Sequence, residues 1–333
     1  MTPSSNEPAG ENGPVIRTHE LTKRFDDDVV VDRVTMSIPR GSIFGFIGPS
    51  GCGKTTTMRL LLGIYQATGG VVEVLGHSPD HFTTAERQRI GYMPQVFVMY
   101  PDLTVWENLN FAASLYGVSL RRHGRLETLL DLVELTGHEG KRARNISGGM
   151  RQRLSLAAAL VHDPELIFLD EPTAGIDPVL RNKFWEHFNH LKSEGRTLFV
   201  TTQYVGEAAY CDYVGVMSAG RLLLVDTPNG LRRRALGGDV IRIKPDRLLD
   251  NRELGDLRLE PFVRDRQVTV HRDLSLRLVV DDTATALPAV MSWMDARGLT
   301  VEEAGEYNPP FDDIFVMLLE QEAARQEAQT SHA

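Results

Sequence analysis

The stretch Gly48-Pro49-Ser50-Gly51-Cys52-Gly53-Lys54-Thr55-Thr56 carries the densest chemistry in the chain. It fits G-x-x-x-x-G-K-[ST], with Gly48, Gly53, Lys54 and Thr55 in the fixed places. A loop that wraps a phosphate must turn its N–H groups inward, and side chains obstruct that. We expect Gly48, Gly51 and Gly53 to remove them where backbone and phosphate come closest. Lys54 adds a point positive charge for terminal phosphates, and Thr55 offers a hydroxyl to Mg²⁺. A second constellation is Asp170-Glu171, directly after the apolar run Leu166-Ile167-Phe168-Leu169. A buried strand ending in Asp beside a phosphate loop gives Mg²⁺ a carboxylate that binds it directly or through water. Glu171 is a second carboxylate, able to polarise water for attack on a terminal phosphate.

These groups need rigid elements. SIFGFIG, ending at Gly48, is short and apolar enough for a buried parallel strand. After the loop, Met58, Leu61 and Leu62 fall at helical spacing. Strand, loop and helix in that order aim a helix dipole at a bound anion. Further strands are expected in PVIRTHELTKRF, ending at Phe25, and in VVVDRVTMSI, VVEVLGH, RIGYMPQ and RTLFVTTQ. A hairpin is expected around Ala219-Gly220. Residues 96–146 read instead as helices, with Thr104 and Glu107 forming a capping box. A helix over 148–162 follows, closed by Pro164. Two smaller features carry little chemistry. Cys52 reads as a structural small residue, and His187 and His190 as surface histidines.

From Leu231 the pattern changes. LRRRALGG reads as a linker, followed by DVIRI, QVTVH, LSLRLVV and LTVEEAG as strands. Helices are expected from Ala284 to Gly298 and over FDDIFVMLLEQEAARQ. The expected organisation is a disordered tail at 1–13, an α/β P-loop NTPase core with a helical insertion at 14–230, a small α+β domain at 231–323, and a frayed tail at 324–333.

The whole-chain composition excludes some classes. With 333 residues, two domains are expected, and 42% hydrophobic content supports a sizeable core. The formal net charge of −9 argues against a nucleic-acid partner. Two cysteines imply no disulfide framework and fit a reducing compartment. No apolar run approaches membrane-spanning length, and the N-terminus lacks a signal-peptide pattern, so a soluble chain is expected whose membrane role comes through a partner.

ISGGMRQR, residues 146–153, resembles the signature motif of ATP-binding-cassette (ABC) ATPases, and it precedes Asp170-Glu171 as in that family. The resemblance covers roughly residues 15–230 and is most similar to the drug-resistance, daunorubicin-type exporters. It implies that Phe25 stacks on adenine, that residues 48–56 form Walker A, and that Gln95 is the Q-loop residue touching Mg²⁺. It also implies that Ser147, Gly148 and Gly149 act in the signature and Asp177 in the D-loop, and that Asp170 and Glu171 are the Walker B metal ligand and catalytic acid. ATP and Mg²⁺ are the implied cofactors. The implied partners are a second ATP-binding subunit, paired head to tail, and a separate transmembrane permease. The implied location is the cytoplasmic face of the membrane.

One position departs from the family pattern. Gln203 stands where a switch histidine is usual. Its amide still donates a hydrogen bond, but it does not take up a proton near neutral pH. Two other readings stay open at this point. One is a soluble cassette ATPase in DNA repair or translation, against which stand the lack of a long coiled-coil insertion and of a second cassette. The other is a regulatory role, in which the C-terminal domain senses a ligand or holds a dimer. Gln203 and the C-terminal extension make export the expected direction, with import left open, and the substrate is not legible here.

Overall fold

The computed structural model describes residues 13–271 and 273–330. The chain divides into two units, one up to Val225 and one from Asp226. In the first unit the elements run β1 (Ile16–Phe25), β2 (Asp28–Ile38), β3 (Ile43–Ile47), α1 (Lys54–Leu61), β4 (Gly69–Val74), α2 (Thr84–Gln88) and β5 (Ile90–Met93). Then come α3 (Val105–Leu115), α4 (His123–Leu132), α5 (Gly148–Leu160), β6 (Leu166–Asp170), α6 (Pro178–Ser193), β7 (Thr197–Thr202), β8 (Tyr213–Ser218) and β9 (Arg221–Asp226).

The central sheet has the order β5-β6-β7-β3-β8-β9, with β5 to β8 and β3 paired in parallel. Every residue of β3, β6 and β7 is buried, as a parallel sheet covered on both faces requires. Phe44, Phe46 and Phe168 meet Phe199 at ring-centroid distances of 5.5, 5.4 and 5.6 Å. A second, antiparallel sheet of order β2-β1-β4 lays Ile16, Leu21, Val31 and Ile38 into the same core. The insertion begins irregularly, and its first helix starts where the capping box sets it. Thr104 Oγ1 accepts from the Glu107 amide at 3.1 Å, and Glu107 Oε2 accepts from the Thr104 amide at 2.8 Å.

The second unit consists of α7 (Pro228–Leu236), β10 (Asp239–Pro245), α8 (Asn251–Arg258), β11 (Val268–Val270), β12 (Leu276–Val280), α9 (Thr283–Asp295), β13 (Val301–Glu306) and α10 (Phe311–Thr330). Its sheet is antiparallel, in the order β11-β12-β10-β13. Ile241, Ile243, Leu276 and Leu278 on one face pack with Val290, Trp293 and Met294.

Three expectations are corrected here. The stretch expected as a linker from Leu231 is the body of α7. Thr227 caps it by accepting from the Gly230 amide at 3.0 Å, Pro228 opens it, and Gly237 closes it at φ +81°. The break between units therefore falls at 225/226 and not at 230/231. Residues 324–330 of the expected tail belong to α10, where Ala, Glu and Gln favour helix continuation, and 331–333 lie outside the described residues. The expected disordered tail falls, Gly13 aside, outside the described residues. The helix α8 was not foreseen, although Asp250 and Glu253 form a capping box that announces it.

Gly45 in β3 owes its identity to a close approach. A Cβ there would stand 2.6 Å from the Cys211 sulfur. Gly45→Ala is expected to cost about 1–3 kcal/mol through overpacking. Cys211→Ala should relieve part of that cost, so the double variant loses less than the sum of the singles in urea unfolding. Strict additivity would show that the contact is not the cause.

Candidate functional site

The phosphate-loop sequence forms the turn between β3 and α1, and its shape comes from its neighbours as much as from any ligand. A Cβ at Gly48 would stand 2.2 Å from the Met217 carbonyl oxygen. Gly53, at φ +108°, would bring one within 2.6 Å of the Val30 carbonyl oxygen. Both glycines are thus demanded by protein backbone pressing on the loop. Gly51 faces open space and is required by its φ of +76° alone. The expectation that these glycines serve phosphate approach alone is therefore too narrow.

Lys54 is buried at 4% exposure, and its Nζ donates to the carbonyls of Gly48 at 2.8 Å and Pro49 at 3.0 Å. The same nitrogen lies 3.9 Å from Glu171 Oε1. Pro49 and Ser50 are exposed at the loop tip, Thr55 and Thr56 are half-buried, and Cys52 points inward. Burial pushes the Cys52 thiol up from its ordinary pKa, which suits an inert structural residue.

β6 delivers the carboxylates. Asp170 is 1% exposed. Its Oδ1 accepts from Thr55 Oγ1 at 3.0 Å and from Thr201 Oγ1 at 2.6 Å. Its Oδ2 is buried and has no hydrogen-bond partner among the described residues. A buried oxygen left open beside a threonine hydroxyl fits a hard divalent cation, which takes oxygen donors. Thr55 and Asp170 would hold Mg²⁺ there, with the Gln95 amide oxygen as a further ligand.

Glu171 follows with φ +49°, a left-handed conformation that is costly for a residue with a Cβ. Its amide donates to Thr201 Oγ1 at 3.0 Å and to the Thr201 carbonyl at 3.1 Å, which pins that conformation. Its Oε2 accepts from Gln95 Nε2 at 2.9 Å. Lys54, Thr55, Gln95, Asp170 and Glu171 therefore meet at the C-terminal end of the parallel strands, beside the N-terminus of α1.

Other expected residues stand apart. Phe25, at 39% exposure, meets Tyr65 edge-on at 5.4 Å, and Lys23 Nζ lies 4.8 Å from its ring. Gln203 is exposed just past β7 and makes no side-chain hydrogen bond among the described residues. Ser147 caps α5, its Oγ accepting from the Met150 amide at 3.2 Å; Ser147 and Gly148 are exposed, with Gly149 half-buried. Asp177 caps α6, its Oδ1 accepting from the amides of Val179 and Leu180 at 3.0 Å. Neither helix start is hydrogen-bonded to the phosphate loop of the same chain among the described residues. His187 is half-buried and not a simple surface residue, and burial depresses its pKa.

Sequence reasoning missed Thr201. Its signal lay in the pairing of β6 with β7, where Asp170 stands directly opposite Thr201. It also missed Thr173 and Glu207. Thr173 Oγ1 donates to the buried Glu207 Oε1 at 2.6 Å and so ties the segment after Glu171 to the turn after Gln203.

The family model described as "ABC transporter" matches residues 31–174. A probable multidrug ABC transporter ATP-binding protein, YbhF of Escherichia coli, is 39% identical over 225 residues, covering 66% of this chain. The chain spans only 38% of the length of that relative. A Nod factor export ATP-binding protein of Cupriavidus pinatubonensis is 36% identical over 238 residues, or 70% of this chain and 73% of the relative. Among solved structures, an ATP-binding subunit of an ABC transporter superposes with a TM-score of 0.62 at 28% identity, covering 67% of this chain and 93% of that one.

Thr201→Val removes both the donor to Asp170 and the acceptor for the Glu171 amide. Its cost to Mg²⁺-dependent turnover is expected to be about 10–100-fold, as for other residues that orient a metal ligand. Thr201→Ser should restore most of it. Equal loss in both variants would point to packing of the Thr201 methyl group instead of its hydroxyl.

Proposed function

Because the chain belongs to the ATP-binding family of ABC transporters, we propose that it binds and hydrolyses ATP and thereby drives export through a separate transmembrane permease. The observation that carries this reading is the meeting of Lys54, Thr55, Gln95, Asp170 and Glu171 at one end of the sheet. Residues 48–56 and the start of α1 hold the phosphates through backbone N–H groups. Lys54 exchanges its loop carbonyls for the terminal phosphate oxygens. Phe25 offers its ring to the adenine. Mg²⁺, held by Thr55, Asp170 and Gln95, supplies charge neutralisation on the phosphates. Glu171, oriented by Gln95 and by the two bonds at its amide, takes the proton of the attacking water. Gln203 donates a hydrogen bond to a phosphate oxygen but holds no proton in transit.

The signature half of the site comes from a second subunit. Ser147, Gly148 and Gly149 open a helix towards solvent, and Asp177 lies exposed at the start of another. Both are free to meet a nucleotide held by a partner paired head to tail. Docking on a permease falls to the insertion, where Val96 and Val98 are 71% and 61% exposed and Tyr100 packs against Phe111. Exposed apolar groups in one short segment mark an interaction surface, and this favours the transporter over a free-standing ATPase. No helix among the described residues is long and apolar enough to cross a membrane. With a permease as partner and ATP as fuel, the proposed location is peripheral, on the cytoplasmic face. The similarity to a Nod factor export ATP-binding protein supports export as the direction.

Glu171→Gln is expected to keep ATP binding while turnover falls by roughly 10²–10⁴-fold. Affinity capture of that variant from detergent-solubilised membranes, with ATP present, should bring down a multi-spanning membrane protein. A purely soluble dimer would overturn the transporter reading, and unimpaired hydrolysis would overturn the role of Glu171. Gln203→His is expected to retain turnover, because an imidazole N–H replaces the amide donor. Complete loss of activity would exclude that simple substitution of one donor for another.

A further inference from the structure

The second unit contains a cavity that ATP hydrolysis does not use. Its volume is about 550 Å³, within the range of roughly 300–1,000 Å³ common for small-molecule sites. It lies between α7, α10 and the sheet face turned away from the core described above. Val240 and Val279 from the sheet and Met317 from α10 give it an apolar wall.

The polar part of the wall is unsatisfied. Arg277 Nε and His271 Nε2 are both buried and without a hydrogen-bond partner. Arg277 forms no ion pair among the described residues, and its guanidinium carbon lies 3.7 Å from the centre of the Tyr307 ring. The residue directly opposite it on β10, Arg242, is by contrast matched to Asp273 at 2.7 Å. Two facing arginines thus differ: Arg242 has a carboxylate partner outside the cavity, and Arg277, stacked on Tyr307, has none among the described residues. Folded proteins leave very few buried polar atoms unpaired, and two unpaired nitrogens in one cavity wall, the Arg277 Nε–H donor and the His271 ring nitrogen, point to a polar group that arrives with a ligand.

We propose that this cavity binds an amphipathic small molecule whose carboxylate head seats on Arg277 and His271 and whose apolar body lies along Val240, Val279 and Met317. Asp313 and Glu320 also line the cavity, but both are exposed at its rim, where water screens them. Arg277 is half-buried with its Nε turned away from water, so its guanidinium is less screened than the rim carboxylates and sets the preference for the head group. A smaller cavity of about 160 Å³ shares Val240 and Tyr307, and it is lined by Arg232, whose Nε is also buried and unpaired. This site stands independently of the ATPase assignment.

The test is calorimetric titration of the full chain with decanoate, decylamine and decanol, each kept below its micelle concentration. Saturable binding of decanoate, tighter than of the amine and the alcohol, is expected. Arg277→Met should weaken decanoate by at least about tenfold, and Arg277→Lys, which keeps the charge but not the planar fork, should fall between. Unchanged ATPase activity and an unchanged unfolding profile would show that the variant folds. Should Arg277→Met fail to fold, Thr269→Trp decides, since it narrows the cavity from an exposed strand position and leaves Arg277 in place; it too should weaken decanoate. Absence of saturable decanoate binding overturns the proposal. So does a preference for decylamine, or binding that survives both Arg277→Met and Thr269→Trp.

Discussion

One oxygen atom holds the catalytic end of the first unit together. Asp170 Oδ1 accepts hydroxyl protons from Thr55, at the start of α1, and from Thr201, on β7. A carboxylate at 1% exposure is tolerated only with such partners, and hydrogen bonds to a charged group contribute about 1.5–3 kcal/mol each. The same two bonds fix where the phosphate loop sits relative to the strand ends. The loop is clamped from its other sides by the Met217 and Val30 carbonyls, which leave room only for glycine at Gly48 and Gly53. Lys54 completes the arrangement by bonding to its own loop. The loop is therefore shaped by protein contacts on several sides.

Much of this was legible in the residues themselves. The glycine spacing, the apolar run into Asp170-Glu171 and the order of the signature segments identified the core, because each states a local constraint. What stayed hidden depends on neighbours far along the chain. Thr201 looks like an ordinary strand threonine until β7 is placed beside β6. Tyr65 gives no sign of meeting Phe25 until the antiparallel sheet folds over α1. A further reason for Gly48 and Gly53 was likewise hidden, since Met217 and Val30 approach from strands on either side of the loop in sequence. At α7 the error was different. Three consecutive arginines and two glycines suggested a linker, while the stronger local signals, Thr227-Pro228 before and Gly237 after, mark a helix start and stop.

The second unit shows how a small sheet can carry two unlike faces. Alternation along β12 sends Leu276, Leu278 and Val280 into the core and Arg277 and Val279 the other way. The core face is closed by α8 and α9, with the Trp293 indole N–H donating to Glu260 Oε1 at 2.8 Å. The opposite face is covered by α7 and α10 less completely, and the remaining space is bordered by unpaired nitrogen atoms.

Glu171 has a consequence that concerns evolution more than chemistry. Its left-handed backbone costs on the order of 1–2 kcal/mol relative to a residue suited to that conformation, and the Thr201 bonds hold it there without removing the cost. Glycine or asparagine at this position would relax the strain and keep both amide bonds. A screen that rewarded heat resistance alone would therefore drift away from glutamate, and the hardiest descendants of this chain would be those that had lost the acid.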